Sequence, residues 1–107
     1  MVRVDFLTSP EGGLLGFSME GHAGFAQAGE DTVCAAISSA AYLTVNSLTE
    51  IRGVSPLSLR VEEGGMFFRI ESKDEPICRD FLAGLKLHLK ALEEQYPSCL
   101  RVGYLEV

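Results

Sequence analysis

The sequence predicts an α+β fold, a single domain over residues 1–107 in which two helices pack on an antiparallel or mixed β-sheet. Two long stretches, 32–52 and 75–96, carry apolar residues three and four apart, as helices do. Between and around them lie five short runs with the two-residue alternation of half-buried strands. The resulting order is strand, strand, helix, strand, strand, helix, strand. With 107 residues, 47% of them hydrophobic, the chain has enough apolar surface for one core and buries about two thirds of what the unfolded chain exposes.

Residues 2–7 set Val2, Val4 and Phe6 against Arg3 and Asp5, which reads as the first strand. Pro10, Gly12 and Gly13 then form a turn, and residues 14–20 place Leu15, Phe17 and Met19 on one face of a second strand. Residues 21–29 contain three glycines and three alanines and are expected to form a mobile loop. Asp31 suits a helix N-cap. From Thr32 onward, Val33, Ile37, Ala41, Val45 and Leu48 recur at helical spacing until Arg52 and Gly53 end the helix. Its middle, AAISSAA, is so short of large side chains that another helix or subunit has room to approach its backbone.

Residues 58–61 and 66–70 read as a second hairpin, turning at Glu62–Glu63–Gly64–Gly65 and carrying Leu59, Val61, Phe67 and Phe68 on its faces. Residues 75–96 form the second helix, with a stripe through Ile77, Phe81, Leu82, Leu85, Leu89 and Leu92 and an acidic start at Asp74 and Glu75. His88 is read as structural, on or beside this stripe. Pro97 ends the helix, and residues 100–107 supply a last strand with Val102 and Tyr104 on one face.

Nine Lys and Arg against fifteen Asp and Glu give a net charge of −6, which argues against a general binder of phosphate backbones and favours a basic peptide partner. No direct nucleic-acid binding is expected. The first residues lack the pattern of a secretory signal, and no run approaches the roughly 18 apolar residues of a membrane span. The expected location is the cytoplasm, with no membrane contact. Cys34, Cys78 and Cys99 form neither an even disulfide set nor a close metal-ligand pair, so no metal or cofactor is expected and each thiol is explained singly.

Chemistry concentrates between Gly21 and Ser38. His22 follows the second strand, and Cys34 falls at the third position of the first helix if Asp31 is its cap, close to unpaired amides and the positive end of the helix dipole. A cysteine there has its ordinary pKa of about 8.5 lowered towards neutrality. If the loop folds back, His22 can take the thiol proton and later protonate a leaving amine, while amides near Cys34 receive the oxyanion. Ser38, one turn after Cys34, and Asp31 or Glu20 are candidate helpers. The competing structural reading makes Cys34 a small buried hydrophobe and His22 a strand-end residue bonded to backbone.

The residues GHAGF, GED and VCAAISS together resemble the ribosomal-processing cysteine proteases, the Prp or YsxB-like family. That family opens on Gly-His-Ala-Gly and starts its helix with Gly-x-Asp and Val-Cys-Ala-Ala, which fall here on Gly21, His22, Ala23, Gly24, then Gly29, Asp31, Val33, Cys34, Ala35 and Ala36. The resemblance implies a His22–Cys34 catalytic dyad, beside which Gly21, Asp31 and Ser38 are candidate supporting residues. Thr32 stands where the family more often has an aliphatic residue. The resemblance further implies a cytoplasmic homodimer that removes the N-terminal extension of a large-subunit ribosomal protein during ribosome assembly, cutting after an aromatic-rich segment and before basic residues. Two other classes compete with it: a non-catalytic ribosome-associated assembly module, and a small-molecule thiol amidase.

Overall fold

The computed structural model describes residues 1–21 and 30–107, with side chains from residue 32 onward in the second part. The loop expected to be mobile falls, from His22 to Gly29, outside the described residues. Strands β1 (Val2–Thr8), β2 (Leu14–Glu20), β3 (Ser58–Glu62), β4 (Gly65–Arg69) and β5 (Leu100–Glu106) form one sheet in the order β3-β4-β2-β1-β5. All neighbours run antiparallel except β1 and β5, so the sheet is mixed. Helices α1 (Glu30–Asn46) and α2 (Glu75–Gln95) supply the second layer.

Register explains which strand residues become core. Leu59, Phe68, Phe17, Phe6 and Tyr104 lie opposite one another across the five strands, and Val61, Met66, Met19, Val4 and Val102 form the parallel row. In the first row the three phenylalanines are fully buried and packed ring to ring, with centroids 6.4 Å and 6.0 Å apart. Such tilted aromatic pairs contribute about 1 kcal/mol beyond their buried area. Against this face pack Val33, Ile37, Ala41, Val45 and Leu48 from the first helical segment, and Cys78, Leu82, Leu85 and Leu89 from α2.

The fold class and element order agree with the reading of the sequence, and several local details differ. The second hairpin turns through two residues, Glu63 and Gly64, because Glu62 and Gly65 already pair. Gly64 has a φ of 84°, which a tight hairpin turn requires and a residue with a Cβ resists. Helix α1 starts at Glu30, two residues before Thr32, so Asp31 stands inside its first turn instead of preceding it. The helical path continues through a wider turn, Ser47–Ile51, and stops at Gly53 with a φ of 73°. There the Val54 amide donates to the Leu48 carbonyl at 2.9 Å, closing the helix end.

The α2 stripe is rotated from its expected centre. Cys78, Leu82, Leu85 and Leu89 are buried, whereas Ile77 and Phe81 lie on its exposed margin. His88 is exposed as well. A periodicity of three and four is satisfied by two neighbouring stripes on one helix, and only tertiary packing selects between them.

Candidate active site

The site is built at the end of the sheet where β2 finishes. Gly21 directly follows β2, has a φ of 95°, and donates its amide to the Gly64 carbonyl at 3.0 Å. A Cβ at this position would collide with the carbonyl oxygen of Met1. The glycine thus lets the chain leave the sheet in a left-handed conformation while squeezed between β1 and the β3–β4 turn. His22, the next residue, lies outside the described residues, and nothing about its placement enters the geometry.

Cys34 is the fifth residue of α1, partly buried, and packed at the margin of the core. It sits a full turn in from the helix start, whereas the sequence placed it third. Because the dipole's influence fades within the first turn, it acts on the Cys34 thiol less than the expected third position would allow. Ser38 follows one turn later, also partly buried. Asp31 is in the first turn of α1, and its side chain lies outside the described residues.

The other two thiols stand in different environments. Cys78 is fully buried in the core, and burial, with Asp74 and Glu75 nearby, pushes its thiol pKa up to about 11. Cys99 is partly buried after α2, with Ser98 Oγ 3.9 Å from its sulfur. None of the three cysteines is in a disulfide. Among the described residues no group of three or more His, Cys, Asp and Glu side chains is arranged to hold a metal ion.

A polar cavity of about 270 Å³ lies between the end of β2 and the β3–β4 hairpin, on the sheet face opposite the helices, lined among others by Glu20, Glu62, Glu63, Arg60 and Phe67. Arg60 covers the Phe67 ring at 5.2 Å from its centroid, leaving three carboxylates as the prominent charge of the rim. The sequence reading had treated Glu62 and Glu63 only as turn residues. Their proximity to Gly21 depends on the β2–β4 pairing of Glu20 with Gly65.

The sequence profile of the family described as cysteine protease Prp matches residues 1–101, nearly the entire chain. The chain belongs to that family. It is therefore a cysteine protease of the Prp family, whose namesake relatives are ribosomal processing enzymes. The Bacillus subtilis (strain 168) ribosomal processing cysteine protease Prp is 33% identical over 107 residues, covering 95% of this chain and 96% of the relative. Two crystal structures of the Staphylococcus aureus Prp share the fold. One, in complex with a substrate peptide, has a TM-score of 0.89 at 24% identity, covering 98% of this chain and 100% of the other. The other holds a covalently linked product peptide and has a TM-score of 0.84 at 25% identity, with the same coverage.

Proposed function

We propose that this Prp-family chain is a cytoplasmic endopeptidase that removes the N-terminal extension of a large-subunit ribosomal protein, with Cys34 as nucleophile and His22 as general base. The observation that carries the reading is the position of Cys34, a partly exposed thiol near the start of α1 in a chain matched to a cysteine protease family over residues 1–101. Of the remaining thiols, Cys78 is closed inside the core.

The chemistry follows from the two side chains. His22 takes the thiol proton and the thiolate attacks the scissile carbonyl carbon, forming a sulfur–carbon bond and an oxyanion that backbone amides receive. Collapse breaks the carbon–nitrogen bond as the imidazolium returns its proton to the departing amine. Water, deprotonated by His22, then hydrolyses the thioester and restores the thiol. With Cys34 in the second turn, more of the thiolate's stabilisation falls to the imidazolium than to the helix dipole. Gly21 positions residue 22, Ser38 supplies a hydroxyl one turn from the thiol, and Asp31 or Glu20 is the candidate to orient the imidazole. The net charge of −6 supports a substrate that carries basic residues.

The test is incubation with a peptide spanning the extension junction, followed by mass spectrometry, for wild type, Cys34→Ala, His22→Ala and Ser38→Ala. Loss of cleavage on removal of either dyad member, each costing at least about 10³-fold and far more than Ser38→Ala, is expected because cooperating catalytic groups fail together. Undiminished cleavage by folded Cys34→Ala eliminates the mechanism. An intact junction with wild type overturns the assigned substrate. The same reading includes a homodimer joined through small and apolar helix residues.

A further inference from the structure

We infer that the free edge of β3 receives the substrate as an added strand, with Leu59 and Val61 as the residues that select its apolar side chains. This rests on the cysteine protease reading above and extends it to the surface that holds the peptide. Three independent features of the fold converge on this margin.

The first is the reach of the helical layer. α2 packs on β2 and β5. Met66 and Phe68 on β4 are still buried, in the same core as Val33, Ile37, Leu48 and Val54, and burial falls away beyond them. On β3, one strand further out but in the same two rows, Leu59 is 40% and Val61 50% exposed. These two side chains form an apolar shelf open to solvent.

The second is the direction of the β3 backbone. The Ile70 amide, immediately after β4, donates to the Leu15 carbonyl of the β2 side at 2.8 Å. Amide and carbonyl directions alternate along a strand, so Gly65, Phe67 and Arg69 turn theirs towards β3. Their partners are Glu62, Arg60 and Ser58. Leu59 and Val61 consequently aim both N–H and C=O outward, giving the pattern that an incoming extended chain needs. The opposite margin of the sheet is obstructed: on β5 the Val102 amide is taken by Glu93 Oε2 of α2 at 2.7 Å, and Lys86 and Lys90 lie over Tyr104.

The third feature is the orientation of α1. Its face towards α2 carries Ala36, Ala40 and Leu43, which line a groove shared with Phe81 and Gly84. At about 100° per residue, Cys34, Ser38 and Tyr42 lie on the opposite flank, away from α2. Since α2 sits over β2 and β5 at the other side of the sheet, we place this flank over the β3 margin, so that a chain on the β3 edge runs beneath the nucleophile. Its alternate apolar side chains meet Leu59, Val61 and the exposed ring of Tyr42.

The experiment alters the substrate backbone and leaves the enzyme intact. A series of junction peptides, each N-methylated at one successive residue on the side bound by β3, is assayed for kcat and KM. Strand addition predicts a period of two: KM rises about tenfold where the methyl replaces a bonded amide and stays near the unmodified value at the residues between. A second arm uses Val61→Pro, whose lost amide faces solvent, so the sheet's own bonding is retained. It is expected to raise KM for the unmodified peptide about tenfold, with the rate of Cys34 alkylation by iodoacetamide unchanged. N-methyl effects without alternation, or none, overturn the inference while leaving the protease intact. Conversion of a wild-type dimer to a monomer by Val61→Pro assigns the edge to a second copy and also overturns it. Failure of wild type to cut the unmodified peptide removes the assigned function, and this inference with it.

Discussion

Gly21 shows how much a single residue controls here, since it combines a left-handed φ of 95° with a Cβ position blocked by the Met1 carbonyl. Gly21→Ala is expected to destabilise the fold by about 2 kcal/mol, from backbone strain plus the displacement of β1 against β2. Differential scanning calorimetry should show a fall in Tm of roughly 10 °C, and peptide cleavage should fall more steeply because residue 22 follows directly. An unchanged Tm would show that the chain relaxes freely at this point. The thiols offer a second prediction. Cys34 should alkylate faster than Cys78 or Cys99 in folded protein at neutral pH, with peptide mapping to assign the label. Cys78 also gives a pH signature: its neutral form is favoured in the folded state, so the stability this contributes is full below about pH 8.5 and lost as pH rises towards about 11. Cys78→Ala, though less stable throughout, should have a flatter alkaline limb in urea unfolding. A limb as steep as wild type's would assign the loss to other groups.

At the scale of elements, the parts legible in the sequence were those with strong local periodicity and punctuation. β1 alternates from Val2 to Phe6, Leu15, Phe17 and Met19 share one face of β2, Gly53 marks a helix end by the φ it must adopt, and Pro97 follows α2. The misplaced details each required a partner absent from local sequence. The start of α1 shifted to Glu30, so Cys34 moved from third to fifth helical position, because Asp31 is equally acceptable as a cap and in a first turn. Ile77 and Phe81 fit the helical spacing as well as Cys78 does, yet the sheet accepts only the stripe with Cys78. Gly21, Cys34 and Ser38 were singled out as candidates from spacing and motif, whereas the exposure of Leu59 and Val61 depends on tertiary packing that no local pattern records. The end of the first helical segment yields its own prediction: Gly53→Ala should cost about 1 kcal/mol, read as a lower urea midpoint with an unchanged m-value, since a Cβ meets open space there and only the φ of 73° opposes it.

For the whole molecule, the groove between α1 and α2 bears on the proposed homodimer. It has a volume of about 590 Å³ and is lined by the small α1 residues Ala36, Ser39 and Ala40, by Leu43, and by Phe81 and Gly84 of α2. Leu43 is 69% exposed, an unfavourable state for a leucine beside other apolar side chains. Gly84 adds a second reason. It costs its helix about 1 kcal/mol relative to alanine, and a Cβ built there would meet nothing within 4 Å, so packing within this chain does not require a glycine. In the proposed homodimer, close approach of a partner helix would supply that requirement and cover Leu43 and Phe81. Light scattering at micromolar concentration is expected to give twice the 11.6 kDa chain mass. Leu43→Glu should shift the protein towards monomer by placing a charge in the seam. Gly84→Ala should separate the two contributions, raising the intrinsic stability of α2 by about 1 kcal/mol while weakening association. A wild-type mass of a single chain, or Gly84→Ala that gains stability and stays dimeric at the wild-type dissociation constant, would place the subunit contact elsewhere or exclude it.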